Sequence, residues 1–194
     1  FMMAAVLNNE AAIQTDDEGR SRPYGNPTDV ALVVMGHKFG IDRDTILSKD
    51  QALDIDIIRE LPFDSDRKMM SVVIKDGDQY QVLTKGAPDV ILAKTDAILD
   101  HDQLVTLPAG QTAVEAQVNR FAEQALRTLA VTLRDIDEDL ALHGSTAELE
   151  QHLTLLGIAG IIDPPRPEVR QSVTTLHQAG IQAVSYTHLR AHET

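Results

Sequence analysis

Apolar positions change period along this chain, and the changes predict where helices give way to strands. The opening "FMMAAVLNN" is apolar on every side, as a short buried helix would be. A polar, charged loop is expected over "EAAIQTDDEGRSRPYG". In "NPTDVALVVMGHKFG" an Asn cap and a first-turn Pro open a helix that Gly40 closes, with Val30, Val33, Val34 and His37 on one face. From Asp54 to Lys85 the pattern is that of strands. Asp76-Gly77 between "VVIK" and "QYQVLTK" is a strong hairpin signal, because both residues tolerate the positive φ of a tight turn.

"APDVILAK" predicts a short helix with Pro in its first turn, and "DAILDHDQLVTLPAG" one or two strands with connecting loops. The clearest helix is "TAVEAQVNRFAEQALRTLAV", in which Val114, Val118, Phe121 and Ala125 step by four, three and four, and Thr112 with Glu115 suits a capping box. It leads into a strand, "TLAVTLRDI", then an acidic loop with a short helix, then the strand "LTLLGIAGIID". At "DPPRPE" the character changes: the strand ends, two prolines block a helix, and Pro167 opens a new one that closes at Gly180 before "IQAV". Strand, helix and strand in that order begin a βαβ unit. The expected fold class is α+β up to residue 162, followed by a truncated α/β segment over 163–184. Residues 185–194, "SYTHLRAHET", fit neither pattern and read as a non-native tail.

Composition narrows the function classes. A net charge of −13 argues against a nucleic-acid surface and against docking on anionic lipid. With no cysteine there are no disulfides, thiolate nucleophiles or Cys-based zinc sites. No run approaches the ~18 apolar residues of a membrane helix, and "FMMAAVLNNE" lacks the features of a signal peptide. The chain reads as a piece of something longer.

Candidate chemistry gathers on two loops flanking the predicted hairpin, "FDSDRK" (63–68) and "KGAPD" (85–89). Pairing Met69–Lys75 with Gln79–Lys85 brings Lys68 and Lys85 to one end. The window 63–88 holds four basic and four acidic residues, so the acidic excess lies elsewhere and a polyanion is tolerated here. Phe63 offers a stacking face for a flat base, and Gly86 lets a ligand approach the backbone. Spacing alone equally allows Phe63 as core and Arg67-Lys68 as a solvated turn. The remaining candidates have less support. Neither a phosphate-cradling G-x-x-x-x-G-K-[ST] loop nor G-x-G-x-x-G occurs, and no G-x-S-x-G supports a serine nucleophile. His188 and His192 have metal-ligand spacing without the Glu of H-E-x-x-H. Asp16, Asp17 and Glu18 lack EF-hand spacing.

Five motifs, "GNPTDVAL", "LPFDSDRKMMSVV", "LTKGAPDVIL", "LRTLAVTLR" and "GIIDPPRPEV", stand in the order found in P-type cation-transporting ATPases, and most resemble the calcium-pump branch. The resemblance runs from Phe1 to about Val184. It implies a cytoplasmic nucleotide-binding domain over 1–162, an antiparallel sheet flanked by helices, inserted in a Rossmann-like phosphorylation domain, with Asp163 and Arg166 in the hinge. It implies that adenine stacks on Phe63, that Asp29 approaches the adenine amino group, and that Lys68 lies near the nucleotide. Lys85, Gly86 and Ala87 would line the pocket, Lys85 on the phosphate side; Arg127 would reach the phosphates from the opposite wall, with Leu129 nearby. Two positions depart from the pattern: Ser65 stands where some members have an arginine, and Asp29 is one methylene shorter than the usual Glu.

The family's D-K-T-G-T, T-G-D and G-D-G-x-N-D motifs do not occur in this sequence. The resemblance therefore implies a chain that binds ATP without hydrolysing it, with no catalytic or metal-ligating residue of its own. Its partners would be ATP, with Mg²⁺ in the whole enzyme, and the phosphorylation and transmembrane domains of a parent pump. The implied location is the cytoplasmic side of an integral membrane protein, with the fragment itself soluble. The other readings are a soluble protein-interaction module, or the same domain of a proton, sodium or potassium pump.

Overall fold

The computed structural model describes residues 1–15, 18, 20–48, 53–101, 103–162 and 167–181. The expectations for Asp16, Asp17, Asp163, Arg166, the strand "IQAV" beyond Ile181, the tail 185–194 and its two histidines lie outside the described residues. By internal contacts the chain divides into two units, Phe1–Ile162 and Asp163–Thr194.

In the first unit, helix α1 (Met2–Leu7) precedes a two-stranded ribbon, β1 (Ala12–Thr15) and β2 (Ser21–Tyr24), then α2 (Pro27–Lys38) and a short α3 (Arg43–Ile46). Strands β3 (Ile55–Asp64), β4 (Met69–Asp76) and β5 (Gln79–Gly86) follow, then α4 (Pro88–Leu92), β6 (Thr95–Asp100) and β7 (Gln103–Thr106). The rest is α5 (Leu107–Glu123), β8 (Arg127–Ile136), α6 (Glu138–His143), α7 (Thr146–Leu149) and β9 (Leu153–Ile161). Seven strands form one sheet in the order β3-β4-β5-β8-β9-β6-β7. Its pairings are antiparallel except β6 with β9, so the sheet is the helix-flanked, mainly antiparallel one expected. The second unit contributes α8 (Pro167–Gln178), after which Gly180 takes a left-handed conformation, φ +75°.

The β4–β5 hairpin turns at Gly77, φ +57°, and pairs Met69 with Gly86 and Met70 with Lys85. This is one residue off the expected pairing of Met69–Lys75 with Gln79–Lys85, because Asp76 extends β4 and Gly86 extends β5. Alternation then sorts the central strands by face. Met70, Val72, Ile74, Leu83 and Val131 pack with Ala4–Leu7 of α1 and Leu32 of α2. On the opposite face Met69 and Ala130 join Ile91, Leu153 and Leu155. Val73 and Val82 join Ala141 of α6 and Leu149 of α7 there. At the junction of α1 and the sheet, buried Asn8 donates to the carbonyls of Met70 (3.0 Å) and Leu83 (3.1 Å).

Three expectations are corrected. The polar stretch over 10–25 is not a plain loop, because Ala12–Thr15 pairs antiparallel with Ser21–Tyr24. A strand reading "SRPY" is hidden in sequence by its Pro, which is tolerated in a two-stranded ribbon with few ladder bonds to lose. In α2 the buried positions are Leu32, Val33 and Gly36, while His37 is exposed and meets Asp42 at 2.7 Å. Counting apolar side chains overlooks Gly36, whose missing Cβ lets the helix approach its neighbour. Finally, α5 starts at Leu107, with Pro108 in the first turn where no N–H is needed. Thr112 is therefore interior and caps nothing; Glu115 accepts instead from the Gln111 side chain at 2.7 Å. Ala125 lies beyond the helix end with φ +54°.

Candidate functional site

Where α2 begins, beside the ends of β3, β5 and β8, the first unit leaves a cavity of about 560 Å³. Asp29, Phe63, Lys68, Lys85, Gly86, Ala87, Arg127 and Leu129 all line it, although they come from four separate stretches of chain. The size falls in the usual range for small-molecule sites, about 300–1,000 Å³. A cavity of about 650 Å³ between α4 and α5 is larger, but its ionisable lining residues, Asp89 and Glu115, are both acidic and would repel a polyanion.

The inner end is an ion pair. Lys85 Nζ lies 2.5 Å from Asp29 Oδ1, with only 5% of the lysine side chain and 16% of the aspartate exposed. Asp29 is held in the first turn of α2, which Asn26 caps by accepting from the Thr28 N–H at 2.9 Å. Asn9 reinforces the position, donating to the Asp29 carbonyl at 3.1 Å. Lys85 and Asp29 thus occupy one end of the cavity. The residue expected near the phosphates, Lys85, and the one expected near the base, Asp29, are direct neighbours.

Burial pulls the Lys85 ammonium below the ordinary lysine value of 10.5, and the Asp29 carboxylate offsets this only in part. The unfolded chain then keeps this proton to higher pH than the fold does. Unfolding takes up a proton in the window below 10.5, so stability rises as pH climbs through it. Lys85→Met is expected to flatten that rise, measured as the slope of unfolding free energy against pH in urea titrations up to pH 10.5.

The rim is different. Phe63 is 61% exposed, which removes its reading as core, and it stands one residue before the end of β3. Lys68 is also exposed and has φ +53°. Arg127, the first residue of β8, donates to Thr28 Oγ1 at 2.8 Å across the cavity. Ser65 does not line the cavity. The adjacent cations part company: Lys68 belongs to the cavity, whereas Arg67 pairs with Glu150 and donates to the Pro62 carbonyl at 2.7 Å. Arg67 is thus neither a solvated turn residue nor a cavity residue. Asp64 Oδ1 accepts from the N–H groups of Asp66 (2.9 Å) and Arg67 (2.8 Å). The Arg67 N–H holds the Asp64 carboxyl below the usual carboxylate range.

Gly86 lines the cavity and has a second role that its sequence context does not suggest. A Cβ there would lie 2.6 Å from the Lys68 carbonyl oxygen and 2.8 Å from Met69 Cβ. The glycine admits the protein's own backbone, so that Ala87 N–H can bond the Lys68 carbonyl at 3.1 Å. Sequence reasoning also missed Glu10, Asn26, Thr28 and Thr128, which complete the lining. Only Asn26 carried a signal, as a helix cap.

Among the described residues no group of His, Asp or Glu side chains could hold a metal ion, and no helix is long and apolar enough to cross a membrane. A family model described as P-type ATPase, cytoplasmic domain N, matches residues 1–168. The chain belongs to the P-type ATPases. It is 39% identical over 192 residues to a calcium-transporting ATPase of Bacillus subtilis, covering 96% of this chain and 20% of that protein. It is 33% identical to calcium-transporting ATPase 1 of Bacillus cereus, covering 94% and 19%. A Listeria monocytogenes calcium-transporting ATPase is 34% identical, with 94% and 20% covered. The chain spans about a fifth of the length of these relatives. The ribbon, α1, α2 and the seven-stranded sheet are thus elements of a P-type ATPase N domain, and the cavity lies within it.

Proposed function

We propose that this chain is the ATP-holding domain of a calcium-transporting P-type ATPase, a cytoplasmic part of an integral membrane protein. Adenine stacks on Phe63, the Lys85–Asp29 pair bounds the inner end, and Lys68 and Arg127 face the phosphates. The observation that carries this reading is one cavity that joins an exposed aromatic ring, two rim cations and a buried ion pair in an otherwise acidic protein. Calcium as the cargo is taken from the relatives' names.

In the whole pump the domain would carry ATP to the phosphorylation domain, whose phosphate-accepting aspartate motif this sequence lacks. Phosphoryl transfer depends mainly on positioning and on charge stabilisation, so a domain that only holds nucleotide is still a working part. Mg²⁺ would arrive on the phosphates and be held by the other domains.

The test is an NMR titration of the 194-residue chain with ATP and with adenosine. ATP is expected to shift Phe63, Lys68 and Lys85 without any phosphoenzyme forming. No shift at these residues, or phosphoenzyme made by this chain alone, would refute the reading. Phe63→Ala should weaken ATP by about 1–2 kcal/mol, the loss of one base–aromatic stack. Because the ring is exposed, the variant should unfold at nearly the parent's urea midpoint.

A further inference from the structure

The β3–β4 turn carries both Phe63 and Lys68, yet what holds it lies on the other face of the sheet. Its own bonds are local: Lys68 N–H donates to the Asp64 carbonyl at 2.7 Å, and the Asp64 carboxylate accepts from the N–H groups of Asp66 and Arg67. Such a turn is exposed and, left to itself, would rock about its two strands. The ladder is already irregular there, with a register shift between Leu61 and Asp64.

Arg67 supplies the missing tie. One end of its guanidinium meets Glu150 and the other bonds the Pro62 carbonyl, the residue before Phe63. Glu150 follows α7, on the face away from α1 and α2, and is 2% exposed. Its carboxylate also accepts from Ser71 Oγ at 2.8 Å, and Ser71 Oγ meets Thr84 Oγ1 at 2.9 Å. Thr132 Oγ1 donates to the Thr84 carbonyl at 3.1 Å. Ser71, Thr84 and Thr132 are cross-strand neighbours on β4, β5 and β8, all fully buried. The guanidinium is therefore moored to Glu150, in the turn after α7, and through that carboxylate to the central strands of the sheet.

We infer that Arg67 is a positioning residue of the nucleotide site: moored to buried Glu150 behind the sheet, it fixes the turn that presents Phe63 and Lys68 to the ligand. It does not touch the nucleotide itself. The inference rests on the reading of the cavity as an ATP site. A rigid turn spares the ligand the entropy of ordering the stacking ring and the rim lysine, and that saving appears as affinity.

The difficulty in testing it is that Arg67→Met alone strands Glu150 and destabilises the fold. Arg67→Met with Glu150→Leu removes both charges together, a replacement that buried ion pairs often tolerate without loss of stability. The double variant is expected to keep the parent's unfolding midpoint yet bind ATP about tenfold more weakly, the scale of ordering one or two side chains on binding. The backbone amides at positions 66–68 should exchange faster in it, with no nucleotide present. Glu150→Gln keeps a neutral acceptor for both partners and should give an intermediate loss. A merely structural role makes the opposite forecast, that restored stability restores binding. Parent-like affinity in either variant overturns this inference while leaving the ATP site intact. Failure of the parent chain to bind ATP overturns the ATP reading, and this inference with it.

Discussion

Arg67→Met is expected to lower the free energy of unfolding by about 3 kcal/mol, measured by urea denaturation at neutral pH. The cause is what remains rather than what is removed. Glu150 is 2% exposed and meets Arg67 on one side and Ser71 on the other. Without the guanidinium, a buried carboxylate keeps one hydroxyl donor and no cation. Breaking a buried pair typically costs about 3–5 kcal/mol, and the lower end applies because 29% of the Arg67 side chain is exposed, so water can reach part of the gap. The same substitution frees the Pro62 carbonyl, which is near the surface and readily hydrated. A loss below about 1 kcal/mol, the range of solvated surface pairs, would show that Glu150 has no need of its partner.

Gly86→Ala is expected to cost about 3 kcal/mol in stability, the upper end of overpacking penalties. Most alanine substitutions in a strand are benign, since alanine suits extended backbone better than glycine does. Here the added methyl would meet the Lys68 carbonyl oxygen at 2.6 Å and Met69 Cβ at 2.8 Å. Both belong to the facing strand or its turn, so no flexible side-chain end can swing away. The Met69–Gly86 pair must open, and the Ala87-to-Lys68 hydrogen bond lengthens with it. ATP affinity should fall together with stability, because Lys68 moves with its carbonyl. A Gly86→Ala variant with the parent's urea midpoint would show that β4 and β5 separate there at no cost.

How much of the site could be read from the sequence depends on the kind of signal each residue carries. The β4–β5 hairpin was legible because Asp76-Gly77 is local turn chemistry and the flanking strands alternate. Its register followed to within one residue, which is enough to bring Lys68 and Lys85 to one end. α2 was legible at its start, where Asn26 and Pro27 are local signals, and misread along its buried face, where Gly36 counts as nothing in an apolar tally. The β1–β2 ribbon was invisible because "SRPY" has no strand-like composition; pairing with Ala12–Thr15 makes it a strand.

From the sequence came most of the order of elements, though not the β1–β2 ribbon, with the hairpin that frames the cavity, the family and eight of the twelve residues that line one cavity. Those depend on neighbours in the chain or on motifs, and both survive without coordinates. What each of these residues touches came from the three-dimensional arrangement alone. Lys85 and Asp29, 56 positions apart, form one pair. Gly86, which lines the cavity, also makes room for Lys68 and Met69. Of two adjacent cations, one faces the cavity and the other binds Glu150, 83 positions away across the sheet. Partners so distant in sequence leave no local trace, because their contact is created by strand order and by which face each side chain takes.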